Sequence, residues 1–367
     1  MPDGLAPDQT TLKDAEALLR AGLIDDAEAI AAVGEIYAIA IPPALRALID
    51  DPDGPIGRQF VPHVDELTTA AYERPDPIGD EALSPVKGIV HRYPDRALLK
   101  PLLACPVYCR FCFRREQVGP DGGLLSVEEL RAAVEWLASR PAIREVIITG
   151  GEPLMLSARR MAELLAMLGE IPHLELIRLH TRMPVADPQR VDAAMVAALA
   201  ACARPLWLVA HVNHAAELTG QARLAFDRLR LAGIPLLSQS VLLRGVNDSV
   251  DALAELFSGL LRARVKPYYL HQLDAAPGTA RFHVPIARGR ALLRALRGRI
   301  SGTALPTYVL DIPGGAGKVP LGPDNLVADA GVTDPWGRLH RLAGPDGQAG
   351  PLAARERGPL AARGGAG

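Results

Sequence analysis

The chain has no apolar run approaching the roughly 20 residues a membrane-spanning helix requires, so no segment is expected to cross a bilayer. Nor does it carry a surplus of either charge. Forty Lys and Arg stand against 42 Asp and Glu, which leaves no electrostatic footprint for nucleic acid or a membrane surface. Its first residues, MPDGLAPDQTTLKDAEALL, have no basic flank leading into an apolar stretch and are not read as a secretory signal. A soluble, cytoplasmic protein is the expectation. Cysteine is scarce, and three of the four fall within eight positions. In a reducing compartment such clustering points to metal or catalysis before disulfides. Cys202 stands alone in ALAACARPLW and reads as a small buried apolar residue.

Against these absences stands a clear rhythm. Residues 12–50, rich in Ala, Leu, Asp and Glu, predict helices, and 51–88, with many Pro and Gly, an extended lead-in. Short apolar runs then predict strands at 97–103, 145–149, 174–179, 206–210, 235–241, 266–271 and 307–311. Between them Met161, Leu164, Leu165 and Leu168 follow the i, i+3, i+4, i+7 spacing of a helix face, as do Leu253, Leu256, Phe257 and Leu260. Ser126 and Glu129 form a capping box ahead of Leu130, Val134 and Leu137.

Strands alternating with helices imply parallel pairing and right-handed crossovers. A doubly wound sheet and a barrel both satisfy this pattern. Six repeated units plus a late strand, with polar residues clustered just after the strands, favour an α/β fold: a partial (β/α)6 TIM-like barrel at 89–300. A helical N-terminal segment and lead-in (1–88) precede it, and a C-terminal extension (301–340) follows. The Gly-, Pro-, Ala- and Arg-rich residues 341–367 read as a disordered tail.

Cys105-Pro-Val-Tyr-Cys109-Arg-Phe-Cys112 directly follows the first expected strand. Three thiolates on one loop are soft, anionic ligands suited to an iron–sulfur cube. With four irons and three ligands, one iron stays open to the amino and carboxylate groups of a cofactor. A structural zinc site would need a fourth Cys or His nearby, and an electron-carrying ferredoxin four thiolates per cluster. The spacing instead resembles the CxxxCxxC loop of radical S-adenosylmethionine (SAM) enzymes. Thr149-Gly150-Gly151-Glu152-Pro153, at the end of the second expected strand, resembles their glycine-rich segment, whose backbone meets the SAM amino group.

Asp311-Ile-Pro-Gly-Gly-Ala-Gly317-Lys318 places a lysine after a Gly-rich run. A phosphate-loop reading fails, because Ile312 stands where the first Gly is needed and Val319 where Ser or Thr would hold magnesium. A solvated lysine after a flexible loop and a Schiff-base lysine both remain open. The second needs a neutral amine in a partly desolvated pocket, with pyridoxal phosphate (PLP) supplying the aldehyde.

Taken in order, PVKGIVHRYPDR (85–96), CPVYCRFCFRR (105–115), HVNH (211–214), SQSVLLRGVND (238–248), KPYYLHQLD (266–274) and DIPGGAGK (311–318) resemble the lysine 2,3-aminomutase family. The resemblance spans about residues 75–325. It implies an isomerase with a [4Fe-4S] cluster, SAM and PLP, in which a 5′-deoxyadenosyl radical starts migration of an amino group from Cα to Cβ. Residue by residue, it implies Cys105, Cys109 and Cys112 as cluster ligands and Lys318 as the PLP lysine. Arg92 and Arg96 become phosphate or cofactor contacts, and Gly150, Gly151, Glu152, His211 and Gln239 SAM contacts. Arg114 would grip the substrate carboxylate, and Asp274 and Asp311 would receive the ε-ammonium of L-lysine.

Two acids argue for lysine, since a glutamate-specific relative would face like charge there. Free β-lysine formation and (R)-β-lysine formation for elongation factor P stay open, as does a 2,3-aminomutase acting on another amino acid. The resemblance also implies an electron donor such as flavodoxin or ferredoxin and allows a homo-oligomer. The family's free-lysine enzyme has C-terminal cysteines for an interface zinc, whereas this chain has none after Cys202.

Overall fold

The computed structural model describes residues 10–119, 122–322, 324, 326–327, 331–334 and 338–340. The tail assigned to 341–367 lies outside them. After Gly322 the chain divides into two units.

Four short helices open the first unit: α1 (Ala15–Arg20), α2 (Ala27–Ile36), α3 (Pro43–Arg46) and α4 (Gly57–Phe60). Asp14 and Asp26 cap the first two, their carboxylates accepting from Ala17 N (2.7 Å) and Ala29 N (2.9 Å). Helices this short hold no structure on propensity alone. They bury Leu18, Val33, Leu45 and Phe60 in a common cluster, joined by Ile41 from the connection between α2 and α3. That cluster also takes in Val107 and Tyr108, so the N-terminal segment forms the wall behind the cysteine loop.

A nine-stranded sheet follows, in sequence order throughout. Its strands are β1 (Ile89–Tyr93), β2 (Arg96–Leu102), β3 (Glu145–Gly150), β4 (Leu176–Thr181), β5 (Leu206–His211), β6 (Leu236–Val241), β7 (Lys266–His271), β8 (Thr307–Ile312) and β9 (Gly317–Pro320). Strands β2 to β8 pair in parallel, giving the six parallel steps of a partial barrel. Helices α5 (Val127–Ala138), α6 (Ala158–Gly169), α7 (Met183–Ala186), α8 (Ala193–Ala200), α9 (Gly220–Leu231), α10 (Val250–Arg262) and α11 (Ile286–Leu296) lie between or after them. Met161, Leu164, Leu165 and Leu168 on α6 and Leu253, Leu256, Phe257 and Leu260 on α10 all join the main core, as their periodicity requires. The capping box of α5 forms as expected.

Two strands correct the sequence reading. His91, Arg92 and Tyr93, which fall in none of the strands expected from the sequence, lie within β1, antiparallel to β2. The glycine-rich run likewise continues into β9, antiparallel to β8. Edge strands β1 and β9 are not laddered to each other. A side chain joins them instead, Lys318 N donating to Tyr93 Oη at 2.6 Å, and Arg92 Nη1 of β1 reaches Asp311 Oδ1 of β8 at 3.3 Å.

The second unit contains, among its described residues, a small antiparallel sheet of Leu326–Val327, Gly331–Thr333 and Leu339–His340. No helix among the described residues is long and apolar enough to cross a membrane.

Candidate active site

Successive side chains on a strand alternate between faces, and every second residue of the barrel strands turns inward. Glu145, Ile147 and Thr149 of β3, Arg178 and His180 of β4, Leu237 and Gln239 of β6, and Tyr269 and His271 of β7 enclose a cavity of about 720 Å³. The candidate residues from distant parts of the sequence all line it. Cys105, Cys109, Cys112, Arg92, Arg96, Arg114, Gly150, Gly151, Glu152, His211, Gln239, Asp274, Asp311 and Lys318 share this one chamber.

Its cysteine wall is held by backbone. Gly151 N donates to Leu102 O (2.9 Å) and Glu152 N to Ala104 O (2.8 Å), clamping the β3 end against the approach to the cysteines. Gly150 has φ of 114°, and a Cβ on Gly151 would lie 2.3 Å from the Ala104 carbonyl, so only glycine allows the clamp. The Glu152 carboxylate is spent inside the protein. It accepts from Thr181 Oγ1 (2.5 Å), Arg182 N (2.6 Å) and Leu154 N (3.0 Å). What this segment offers a ligand is therefore backbone. Burial pushes the Cys112 thiol up to about 11 and the Cys105 thiol well above the ordinary range, with the neighbouring sulfurs adding to it. Three half-buried cysteines lining one chamber make a donor set that fits a cationic iron–sulfur core, which would hold them as thiolates. Among the described residues no three Cys, His, Asp or Glu side chains converge on a single-ion site, as structural zinc would need.

Across the chamber a chain of charges runs from Arg114 to Lys318. Arg114 Nε and Nη2 bond Asp80 Oδ2 at 2.8 and 2.7 Å. Asp80 Oδ1 meets Arg92 Nη2 at 3.4 Å, and Arg92 Nη1 meets Asp311. Asp311 Oδ2 then accepts from Lys318 Nζ, while His271 Nδ1 lies 3.2 Å from the same nitrogen. Burial alone would raise Asp311; the His271 hydrogen bond and the Lys318 charge overcome it and hold the carboxyl well below the usual range. Asp274 goes the other way. Burial and the nearby Asp311 charge push it up to about 7. Arg96 pairs with Asp95 (2.8 Å) and stacks 3.8 Å over the Tyr93 ring.

Around Lys318 three buried nitrogens, Arg92 Nε, His180 Nε2 and His271 Nε2, have no protein partner. Such atoms cost free energy unless something polar reaches them. Donors beside a lysine amine fit the phosphate and ring substituents of PLP. His211 Nε2 lies 3.1 Å from Asn213 Oδ1, with its ring 5.6 Å from Phe111 on the cysteine side.

Sequence reasoning missed Asp80, which sits in a Pro- and Gly-rich lead-in with no periodic signal. It also missed the buried trio Gln59, Arg182 and Glu217, scattered over 159 positions, and His271, which the KPYYLHQLD segment contained without marking.

An open β/α barrel with three cysteines after its first parallel strand defines a radical SAM enzyme, and residues 99–257 match the radical SAM superfamily. Residues 293–332 match the family described as lysine-2,3-aminomutase. The L-lysine 2,3-aminomutase of Clostridium subterminale is 39% identical over 83% of this chain and 74% of its own length. That of Acetoanaerobium sticklandii is 40% identical over 79% and 70%, and that of Escherichia coli 38% over 84% and 91%. This chain belongs to the lysine 2,3-aminomutase family, isomerases whose chemistry rests on a [4Fe-4S] cluster, SAM and PLP.

Proposed function

We propose that the chain moves the amino group of L-lysine from C2 to C3, with Cys105, Cys109 and Cys112 holding the cluster and Lys318 holding PLP. One observation carries the reading: Lys318 and the three cysteines line the same chamber, and Asp274, Asp311 and Arg114 line it too. When bound, the cluster and SAM supply a carbon radical, and PLP supplies the aldehyde that carries the migrating nitrogen.

The protein's own groups prepare that chemistry. Asp311 and His271 fix Lys318 Nζ. In the ligand-free protein the Lys318 nitrogen occupies Asp311. With that nitrogen turned away, Asp311 Oδ2 would be left to receive, with Asp274, the far ammonium of lysine, while Oδ1 keeps Arg92. Asp80 occupies the Nε edge of Arg114, which directs the rest of the guanidinium fork to the substrate carboxylate. A small one-electron donor protein of the flavodoxin or ferredoxin kind completes the scheme.

The test is incubation of the reduced, anaerobic protein with SAM, PLP and candidate amino acids, with products resolved on a chiral column. β-Lysine is expected. Turnover of glutamate without turnover of lysine would defeat the proposal, and the enantiomer formed assigns the branch.

A further inference from the structure

Arg182 follows β4 directly and is only 6% exposed. Its Nη1 donates to Cys109 Sγ at 3.2 Å, while Nη2 donates to Glu217 Oε2 at 2.7 Å and to Gln59 Oε1 at 2.8 Å. The backbone nitrogen of the same residue is bound by Glu152. Phe60 and Phe111 flank the guanidinium, 4.8 and 5.5 Å from its carbon. Nothing in the scheme above uses this group.

The partners are themselves fixed. Glu217 is fully buried, and its Oε1 accepts from Asn213 N (3.0 Å), His214 N (2.9 Å) and Gln59 Nε2 (3.3 Å). Gln59 Oε1 also accepts from Asn213 Nδ2 at 3.0 Å. A buried guanidinium without a counter-charge would be strongly unfavourable. Here Glu217 supplies that charge, and one N–H remains aimed at a sulfur.

We infer that Arg182 sets the reduction potential of the cluster. Its N–H···S bond and positive charge stabilise the reduced state, and Gln59 and Glu217 position it on Cys109. The inference rests on the reading that the three cysteines hold the cluster. Reduction brings one electron from an external low-potential carrier protein and makes or breaks no bond. The added negative charge spreads onto the sulfurs, where a donor and a cation lower its energy, and hydrogen bonds to cluster sulfurs are an established means of tuning potential. Lysine in place of Arg182 would keep the charge but not the planar fork that reaches three acceptors at once.

Full-length protein, loaded with cluster under anaerobic conditions and without SAM, is titrated against potential with the reduced-state electron paramagnetic resonance signal as readout. Iron and sulfide are assayed on the same samples. Arg182→Gln should shift the midpoint to a more negative potential, and Arg182→Lys should shift it less far in that direction. Glu217→Gln, which removes the counter-charge and keeps the donor, should shift it to a more positive potential. Arginine variants with full iron content and the wild-type midpoint would overturn the inference and leave Arg182 a packing residue. If those variants fail to fold or to take up iron, Glu217→Gln decides alone: an upward shift supports the inference and an unchanged midpoint sinks it. A wild-type chain that takes up no iron defeats the cluster reading itself, an outcome the iron assay tells apart.

Discussion

Asp311 and Lys318 are direct partners in the β8–β9 ladder, and the Lys318 amine donates to the Asp311 carboxylate across it. The hairpin between them is Pro313–Gly315, with Gly314 and Gly315 at positive φ. A seven-residue separation in sequence thus becomes a contact, and a glycine-rich stretch without helical or strand periodicity becomes the device that presents the amine to the chamber.

Replacing Lys318 with Ala should abolish the pyridoxal absorbance of the protein and leave its iron–sulfur absorbance in place. Arg92 still pairs with Asp311 in that variant, so the barrel should remain folded. Visible spectra before and after PLP addition check this. Loss of both chromophores together would make Lys318 a structural residue.

Asp274→Asn and Asp311→Asn should each lower kcat/KM for lysine by about 10- to 100-fold, the loss expected when a charge-assisted hydrogen bond worth about 1.5–3 kcal/mol is weakened. Steady-state rates with lysine measure it. Wild-type kinetics in either variant would remove that acid from the lysine site.

The acids also give the protein two pH dependences of opposite sign. Asp274 keeps its proton in the folded protein up to about pH 7, whereas the unfolded chain releases it near pH 4. Stability of the ligand-free protein should therefore fall as pH rises from about 4 to about 7, and lysine binding should strengthen over the upper part of that range. Asp274→Asn should remove both trends. Asp80 and Asp311, each depressed because neighbouring cations outweigh burial, contribute stability that is fully present above the ordinary carboxylate range and is lost as pH falls below it. Thermal melts across pH 3–9, with and without lysine, separate the two.

Glu66 is wholly buried and accepts from Arg110 Nη2 (2.5 Å) and from Arg115, both on the cysteine loop. Glu66→Gln leaves two buried guanidinium groups without their counter-charge and should cost about 3–5 kcal/mol, with reduced iron uptake. Denaturant melts and iron assays test it.

Gly150→Ala forces a Cβ to 2.5 Å from the Leu102 carbonyl at φ of 114° and should destabilise the protein severely. Gly314→Ala, at φ of 76° with open space around it, should cost only about 1–2 kcal/mol, the intrinsic penalty of a left-handed residue. Equal effects in paired melting experiments would contradict the clamp between β3 and the cysteine loop.

Each parallel strand carries a short cluster of apolar residues between turn-forming segments, and for that reason the seven parallel strands were legible to within about two residues. The cysteine spacing, the glycine pair and the terminal lysine were equally plain, because each follows from local chain chemistry. Strand β1 was not, since IVHRY mixes inward polar residues with a following Pro-Asp turn. Strand β9 is four residues long and begins in glycine.

What the sequence determined by itself is the barrel's order of elements and the residue types at their ends, since periodicity and motif spacing are local properties. Only the tertiary structure decided which charges meet. Asp80 lies 34 positions from Arg114 and Gln59 lies 123 from Arg182, and no spacing rule connects them. The curl of the sheet brings these pairs together in a buried space where each guanidinium must find a carboxylate or amide, so their partnership is a property of packing.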